Sequence, residues 1–444
     1  MTTHQTIYTP IKPLSAPLTG TLKVPGDKSI SHRSVLFSAM AEGTSHLDGV
    51  LDSQDVRSSM SVVQALGAQV QLDVQPDGSL AGTVTGWGNE GPRQPDAPLY
   101  CGNSGTTVRL LMGVLAPWSI QAQLTGDESL SRRPMARIFT PLQSMGAAFS
   151  PEGRSTLPLC EQGGNLHAIE YQMPVASAQL KSAVLLAGVF ASGTTRVTEP
   201  SCSRNHTELM LPSFGVQVEH GPGWAQVHGG QSMHACDVSV PADPSSAAFM
   251  CCAAAITPGS SLRLTQVSLN PARIGFINVL ARMGAQIRVE PSGALGAEPY
   301  GDIVVQYSPQ LTGTTVAESE IASLVDEIPI LALVASVCSG ATVFEDVSEL
   351  RVKETDRAQA IIDGLALMGV EATCIGNALH IQGRKSLQVA PGTRFESGAD
   401  HRLAMTWALA GMCASVEVVV GDFDSVAISY PGFMHDVATL QAAV

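Results

Sequence analysis

The chain has 444 residues, of which 44% are hydrophobic and 14% are charged, and its formal net charge is −14. This length exceeds one ordinary domain, and the composition is that of a packed globular protein, which excludes a disordered chain. The acidic balance argues against a general nucleic-acid binder and against a protein that docks on anionic membranes.

The N-terminal segment and the cysteines indicate a cytoplasmic protein. The stretch MTTHQTIYTPIKPL has no apolar core of a signal peptide and no Arg/Ser-rich transit character. The longest apolar stretch, IPILALVASVCSG, is too short and too interrupted to cross a bilayer. Nine cysteines occur without CxxC or Cys/His metal-ligand spacing, which favours buried thiols over disulfides. We therefore expect small-molecule partners, with no nucleic acid and no membrane.

Two kinds of helix alternate along the chain. Nearly apolar helices are predicted at residues 32–43, 106–118, 179–193, 245–259, 327–340 and 401–414. Each precedes an amphipathic helix, predicted at residues 55–70, 135–149, 206–218, 273–287, 357–372 and 431–444. All but the last of these end in a glycine step, which suits a helix C-terminus, and β-rich segments lie between the helices. The pattern predicts six repeats of about 70 residues.

The repeats predict an α/β protein with two domains. Repeats of this length are too large for a solenoid, so two groups of three are expected. The apolar helix of each repeat must be buried on all sides, and the amphipathic helix then covers it. We predict one domain over residues 26–240 and a second over residues 241–444, to which residues 1–25 add strands.

Polar and charged residues collect where the apolar helices begin. The stretches are GDKSISHR (26–33), CGNSGTTVR (101–109), VASAQLK (175–181), PADPSS (241–246), LVDEIP (324–329) and GADHR (398–402). Helix N-termini with hydroxyls, glycines or cations present amide donors and positive dipole ends. The arrangement predicts anion binding.

Simpler interpretations of two of these stretches remain open at this point. GDKS is not the end of a Walker P-loop, because Asp27 separates the glycine from Lys28. Asp27 or Ser29 could simply cap a helix, although capping does not explain Lys28 together with Arg33. GNSGTT could be an ordinary turn followed by a threonine cap.

Two arginine-bearing stretches precede amphipathic helices. GDESLSRRPM (126–135) contains Arg132, Arg133 and a proline that suits the first helical position. SCSRNHTE (201–208) has Ser203 and Arg204 ahead of a Thr-Glu pair typical of a capping box. Arginines at a helix start oppose the helix dipole unless an anion is present, so both stretches indicate anionic ligands.

The most charged stretch is RVKETDR (351–357), where a helix over 354–369 would place the charges in its first turn. Upstream in the same repeat, Asp326 and Glu327 precede a buried helix. Carboxylates beside cations can divide general-base and general-acid work. The alternative is a surface ion-pair network.

Together these stretches resemble the family of 5-enolpyruvylshikimate-3-phosphate (EPSP) synthase, or 3-phosphoshikimate 1-carboxyvinyltransferase. GDKSISHR, GNSGTTVRLL, GDESLSRRPM, ASAQLKSA, SRNHTE, LVDEIP, RVKETDR and DHRLAM occur in the family's order, between about residues 20 and 435. SRNHTE and ASAQLK are more similar to one bacterial subgroup. The resemblance implies two inside-out α/β barrel domains, each of three βαβαββ units with pseudo-threefold symmetry. It places the active site in a cleft between the domains that closes on substrate.

The resemblance also implies a reaction. The enolpyruvyl group of phosphoenolpyruvate passes to the 5-hydroxyl of shikimate 3-phosphate, and phosphate leaves, by addition and elimination through a tetrahedral intermediate. Neither a metal nor an organic cofactor takes part. The implied protein is a monomer of the shikimate pathway, which leads to chorismate and the aromatic amino acids.

The family's ligands and catalytic groups carry over to positions of this sequence. For shikimate 3-phosphate they are Lys28, Ser29, Arg33, Ser177, Ala178, Gln179, Ser203, Arg204, Asp326 and Lys353. For phosphoenolpyruvate they are Lys28, Gly105, Arg133, Gln179, Arg357 and Arg402. The resemblance implies three catalytic groups. Asp326 takes the 5-hydroxyl proton, Glu354 transfers the proton at the methylene carbon, and Lys28 is the third.

One departure and two alternatives accompany the resemblance. Some members carry a lysine near the C-terminus where this chain has Ile428 or its neighbour, so that phosphate contact is absent or is supplied by another group. UDP-N-acetylglucosamine enolpyruvyl transferase shares the fold, but nothing here resembles its loop with a reactive cysteine. A non-catalytic phosphometabolite-binding protein of the same fold would have no need of Asp326 and Glu354.

Overall fold

The computed structural model describes residues 6–442, and the chain divides into two compact units. The first unit comprises Gly26–Pro241 and the short segment Ala294–Glu298. The second unit comprises residues 6–25, Ala242–Gly293 and 299–442. Each unit has its own apolar core, built from buried side chains of its own repeats.

The α-helices follow the alternation that the sequence predicts. In chain order they are α1 Lys28–Met40, α2 Gln54–Ala65, α3 Gly105–Leu115, α4 Glu128–Arg132, α5 Ala136–Met145, α6 Ala178–Phe190, α7 His206–Met210, α8 Pro244–Ile256, α9 Gly275–Arg282, α10 Glu318–Ile321, α11 Ile328–Val337, α12 Arg357–Leu367, α13 His401–Cys413 and α14 Phe433–Ala442. The predicted apolar helices are α1, α3, α6, α8, α11 and α13. These six helices lie in the cores of the two units. In α8, for example, every residue from Pro244 to Ala255 is buried.

The amphipathic helices end where the glycines predict. Gly67, Gly146, Gly215, Gly284 and Gly369 follow α2, α5, the turn after α7, α9 and α12, with φ between +67° and +118°. This left-handed conformation is cheap only for a residue without a Cβ, so the glycine stops the helix and turns the chain into the next strand. The third of these helices is shorter than predicted: α7 ends at Met210 and continues as a 3-10 turn over Leu211–Phe214.

Two other boundaries differ from the prediction for reasons of capping. α1 begins before the predicted His32, because the Asp27 carboxylate accepts a hydrogen bond from the Ile30 N–H. Two ranges are predicted for α12, and the helix begins at Arg357, as in 357–372, and not at residue 354, because Asp356 caps it through the Gln359 N–H. Residues 443–444 of the predicted last helix, and the first five residues of the N-terminal segment, lie outside the described residues.

The strands are short and regularly placed. They are β1 Tyr8–Ile11, β2 Thr19–Leu22, β3 Thr44–Val50, β4 Gln69–Val74, β5 Leu80–Thr85, β6 Leu99–Tyr100, β7 Gln121–Thr125, β8 Ala148–Ser150, β9 Leu159–Gln162, β10 Glu170–Gln172, β11 Thr194–Thr198, β12 Val218–Gly221, β13 Trp224–His228, β14 Val238–Ser239, β15 Ser261–Ser268, β16 Gln286–Leu295, β17 Glu298–Gln306, β18 Thr315–Val316, β19 Ser339–Phe344, β20 Ala372–Ile375, β21 Ala378–Arg384, β22 Arg394–Phe395 and β23 Val418–Gly421.

The sheets repeat one topology. Across residues 6–442 their orders are β14-β3-β5-β4, β6-β7-β9-β8 and β10-β11-β13-β12 in the first unit, and β16-β17-β15-β2, β18-β19-β21-β20 and β1-β23-β22 in the second. In the second of these sheets, β6 and β7 pair in parallel across the buried helix α3, and β7 then pairs antiparallel with the hairpin β8–β9. A parallel pair needs such a helical crossover. Repeated βαβαββ units with the apolar helices inside confirm the predicted α/β fold.

The N-terminal segment supplies two strands to the second unit. β1 pairs antiparallel with β23, and β2 pairs in parallel with β15. Up to residue 442 the last repeat has no hairpin of its own, and β1 takes the place beside β23 that a hairpin strand holds in the other sheets. No helix between residues 6 and 442 combines the length and hydropathy that crossing a membrane requires.

Candidate active site

Five of the six buried helices in residues 6–442 begin with a side-chain cap, and α11 is the exception. Asp27 caps α1, Ser104 caps α3 through the Thr107 N–H, and Ser177 caps α6 through the Leu180 N–H. Asp243 and Asp400 cap α8 and α13. Capping is therefore a real role of Asp27, and in GNSGTT the cap is the serine and not a threonine. These caps do not involve the cationic side chains near the helix starts, which have the partners described next.

In the first unit, Lys28 and Arg33 lie on α1 in different surroundings. Lys28 is partly exposed, and its Nζ lies 2.5 Å from Asp55 Oδ2. Arg33 is only 3% exposed. Its Nε and Nη2 donate to the hydroxyls of Thr207 and Ser182, each at 2.8 Å. Burial lowers the pKa of Arg33 to about 10.

Gln179 connects the starts of α6 and α3. Its Oε1 accepts a hydrogen bond from Arg109 Nη1 at 2.6 Å, and its Nε2 donates to Thr106 Oγ1 at 3.0 Å. Gly105, the first residue of α3, lies beside two guanidinium groups: an added Cβ would lie 3.2 Å from Arg109 Nη1 and 3.4 Å from Arg133 Nη1. The absence of a side chain here leaves room beside two cations.

Arg133 is positioned by the turn before α3, because its Nη2 donates to Asn103 Oδ1 at 2.7 Å. The prediction that Arg132 and Arg133 begin a helix is wrong. Arg132 ends α4 and Arg133 follows it, whereas α5 begins two residues after Pro134. At a helix C-terminus the dipole favours cations, so the dipole argument for an anion does not apply there.

The segment before α7 is tied to a buried carboxylate. Glu199 accepts hydrogen bonds from the Ser203 N–H at 3.1 Å and from the Ser203 hydroxyl at 2.6 Å. Arg204, the next residue after Ser203, is half-buried. The predicted capping box is wrong, because Thr207 bonds to Arg33 and Ser182 and not to the start of α7.

In the second unit, Arg357 is the centre of a carboxylate cluster. The side chain is 1% exposed, and its Nε lies 2.7 Å from Asp400 Oδ2. Its Nη1 lies 3.1 Å from Asp326 Oδ1, and its Nη2 lies 2.6 Å from Glu354 Oε2. Burial would lower the pKa of Arg357, but the three carboxylates outweigh burial and raise it. The two predicted catalytic carboxylates thus flank one buried cation.

Two further cations approach Asp326. Lys353 Nζ lies 3.7 Å from Asp326 Oδ1, and Arg402 Nη2 lies 3.6 Å from Asp326 Oδ2. The Nη1 of Arg402 lies 3.6 Å from the fully buried Glu327, which also accepts a hydrogen bond from the hydroxyl of Ser245. The alternative of a surface ion-pair network does not fit this cluster, because Arg357, Asp400 and Glu327 are all buried.

Sequence reasoning missed several of these partners. Asp400 lies in GADHR, directly before a buried helix. An acid at that position predicts a helix cap, but it does not predict that Asp400 pairs with Arg357. Lys181 sits inside an apolar helix, which signals a buried ion pair but not with which acids. Asp55 and Glu199 gave no local signal, because each meets its partner only through the fold.

The cysteines are all free, as the absence of paired spacing predicts. Cys101, Cys251, Cys252 and Cys338 are buried, and burial raises the pKa of Cys101 to about 12. Cys202 is exposed, so the expectation of buried thiols is wrong there, and four further thiols are only partly buried: Cys160, Cys236, Cys374 and Cys413. Across residues 6–442, no group of three or more His, Cys, Asp or Glu side chains has the arrangement of a metal site.

The sequence is similar to proteins of one family over nearly its whole length. Residues 13–437 match the model of the EPSP synthase family, 3-phosphoshikimate 1-carboxyvinyltransferase. The chain is 43% identical over 427 residues to the 3-phosphoshikimate 1-carboxyvinyltransferase of Shouchella clausii, covering 96% of this chain and 97% of that protein. It is 45% identical over 417 residues to the protein of that name from Xanthomonas euvesicatoria pv. vesicatoria, covering 94% and 93%.

The structure is similar to solved structures of the same kind. EPSP synthase from Acinetobacter baumannii superposes with a TM-score of 0.86 at 39% identity, covering 98% of each chain. The enolpyruvyl transferase NikO from Streptomyces tendae superposes with a TM-score of 0.75 at 17% identity, covering 98% and 97%. At that identity the second likeness concerns the fold alone.

Proposed function

The chain belongs to the EPSP synthase family, and we infer from that membership and from the two clusters that it transfers the enolpyruvyl group of phosphoenolpyruvate to shikimate 3-phosphate. The 5-hydroxyl oxygen adds to the second carbon of phosphoenolpyruvate, and the methylene carbon gains a proton. Elimination then breaks the bond to the phosphate oxygen and removes a proton from the new methyl group. The products are the enolpyruvyl ether and phosphate.

One observation carries the assignment of roles: Asp326 and Glu354 flank the buried Arg357. Addition needs one group to accept the hydroxyl proton and another to supply a proton to carbon, and elimination reverses the second transfer. We assign the first task to Asp326 and the second to Glu354. The side chains are 13% and 27% exposed, so both are accessible from solvent while Arg357 is not.

The cations would bind the two anionic substrates. For phosphoenolpyruvate we propose Lys28, Gly105, Arg133, Gln179, Arg357 and Arg402. For shikimate 3-phosphate we propose Lys28, Ser29, Arg33, Ser177, the Ala178 amide, Gln179, Ser203, Arg204, Asp326 and Lys353. Arg33, Ser203 and Arg357 already have protein partners here, and Arg357 is only 1% exposed, so we assign these three mainly to holding neighbouring groups in place. Fixed cations and amides stabilise developing negative charge without reorganising during the reaction.

The proposal also covers the organisation of the enzyme. We assign residues of both units to the same two substrates. We therefore propose that residues 26–240 form one domain, that residues 241–444 with residues 1–25 form the other, and that both domains take part in the reaction. We further propose a monomer in the cytoplasm. The alternative, a non-catalytic phosphometabolite-binding protein, finds no support in the second unit, because a binder has no use for two partly exposed carboxylates beside one buried cation.

The test is phosphate release in the presence of both substrates. Asp326→Asn and Glu354→Gln should each lower kcat by about 10²–10⁴-fold, the usual contribution of a positioned acid or base. Glu349→Gln is the matched control, because Glu349 pairs with the same Lys353 at 2.6 Å but is half exposed. Its kcat should stay near that of the wild type. If the wild type binds both substrates but releases no phosphate, the transferase function is wrong and the protein is a non-catalytic phosphometabolite-binding protein.

A further inference from the structure

A buried lysine lies in the apolar helix α6. Lys181 is 3% exposed, and its Nζ lies 2.8 Å from Glu199 Oε1 and 2.8 Å from Glu208 Oε1. Burial would lower the pKa of Lys181, but the carboxylates of Glu208 and Glu199 outweigh burial and raise it. The ammonium therefore stays charged inside the first unit. Burying a charge costs free energy unless the charge is paired. The two carboxylates pair the buried ammonium, and we call Lys181, Glu199 and Glu208 the ion triad.

Glu199 connects the triad to the segment before α7. Its carboxylate accepts both hydrogen bonds that Ser203 can donate, one from the backbone N–H and one from the hydroxyl. A hydroxyl has a single proton, so Ser203 cannot donate to a phosphate while it donates to Glu199. The residue instead fixes the backbone immediately before Arg204.

Lys181 lies one turn after the start of its own helix. Its N–H makes the ordinary helical hydrogen bond to the Ser177 carbonyl at 3.0 Å, and Ser177 and Ala178 are the other proposed phosphate ligands. On α7, the triad partner Glu208 adjoins Thr207, which shares a 2.7 Å hydrogen bond with Ser182, the residue after Lys181. The helix start and the arginine segment are thus held together through two adjacent residues of α6.

We propose that Lys181 and Glu199 are positioning residues for the phosphate of shikimate 3-phosphate. Lys181 fixes Glu199, and Glu199 holds Ser203 and with it the backbone that leads into Arg204. Neither residue touches the substrate in this scheme. The proposal rests on the proposed function, since it assumes that Arg204, Ser177 and the Ala178 amide bind that phosphate.

Steady-state kinetics of Glu199→Gln and Lys181→Met test the proposal. The KM for shikimate 3-phosphate should rise on the order of tenfold, since misplaced binding groups can cost up to about 10²-fold. The KM for phosphoenolpyruvate, and kcat at saturating shikimate 3-phosphate, should change by less than about threefold, because only one substrate uses this end of the site. Lys181→Arg keeps the positive charge, so its KM for shikimate 3-phosphate should lie much closer to the wild-type value than that of Lys181→Met.

Glu208→Gln is the matched control within the triad. It removes the same carboxylate charge from Lys181 but leaves the hydrogen bonds between Glu199 and Ser203 intact, so its KM for shikimate 3-phosphate should rise less. Glu161→Gln, at another buried acid of the first unit, should leave both KM values unchanged. Should Lys181→Met fail to fold, Glu199→Gln alone still decides, because it keeps the side chain's size.

A second readout uses the exposed thiol of Cys202, which lies between Glu199 and Arg204. Shikimate 3-phosphate should slow its alkylation in the wild type, measured by mass spectrometry of the peptide, and protect it less in Glu199→Gln. An unchanged KM for shikimate 3-phosphate, or an equal rise in both KM values together with a lowered melting temperature, would overturn the proposal. If the wild type releases no phosphate, the transfer reaction fails, and calorimetric binding of shikimate 3-phosphate to the same variants still tests the positioning role.

Discussion

Two buried arginines, one in each unit, have opposite surroundings. Arg33 donates to two hydroxyls and a carbonyl, and burial lowers its pKa to about 10. Arg357 is as deeply buried, but three carboxylates surround it and raise its pKa in spite of burial. Burial alone therefore does not set the chemistry of a cation; its partners do. Neutral hydrogen-bond partners leave burial as the dominant effect at Arg33, whereas the carboxylates in direct contact with Arg357 are groups that can transfer protons.

The largest effect is expected from Arg357→Met. The substitution leaves Asp400, which is fully buried, without its cation, and breaking a buried pair in this way costs about 3–5 kcal/mol. Urea unfolding measures the loss. The double variant Arg357→Met with Asp400→Asn is the control, and it should recover part of the stability because the orphaned charge is gone. No recovery would show that packing and not charge dominates at Arg357.

A smaller loss is expected from Arg33→Met. Glu208, Asp27 and Glu298 act on Arg33 only through their charge, and the substitution removes hydrogen bonds from a charged donor to neutral acceptors, for which about 1.5–3 kcal/mol is typical. The same urea experiment compares the two variants directly. A loss as large as that of Arg357→Met would contradict the contrast between neutral and acidic partners.

A buried acid with no partner is the third case and sharpens the comparison. Glu161 on β9 is 1% exposed, and within the described residues neither carboxylate oxygen has a hydrogen-bond partner. Burial raises its pKa well above the ordinary 4.5, so the folded protein keeps a proton that the unfolded chain loses. Its contribution to stability is therefore full below pH 4.5 and declines as the pH rises from there.

Glu161→Gln should remove that decline, because an amide does not titrate. The variant and the wild type should unfold at similar urea concentrations near the acidic end of the range. The variant should become the more stable of the two as the pH rises. Parallel stability curves across this range would show that Glu161 is ionised in the folded protein.

The smallest effect is expected from Gly105→Ala. The added Cβ would press on the ends of two flexible side chains, Arg109 and Arg133, which can move by a few tenths of an ångström. The melting temperature should hold, whereas the KM for phosphoenolpyruvate should rise by about two- to fivefold through displacement of Arg133, less than the 10²-fold of a full misplacement. A similar rise in the KM for shikimate 3-phosphate would show that the displacement spreads beyond Arg133.

Local pattern accounts for what the sequence predicts well. The six apolar helices, the five glycine stops and the clustering of polar residues at helix starts all follow from features a few residues apart, which is why their bounds hold closely. The errors are local too: Arg132 and Arg133 end one helix where they were expected to begin another, because Asp127 starts a short α4 that periodicity does not reveal.

The candidate site divides in the same way. The sequence alone determined which acids and cations are present, where the helices that carry them begin, and that Asp326 and Glu354 belong to one repeat. Only the tertiary structure decided that both meet Arg357, that Asp400 joins them from the next repeat, and that Lys181 neutralises Glu199. Pattern and propensity act over a few residues, whereas an ion pair such as Arg357–Asp400 joins side chains 43 positions apart and forms only when the packed helices bring them together.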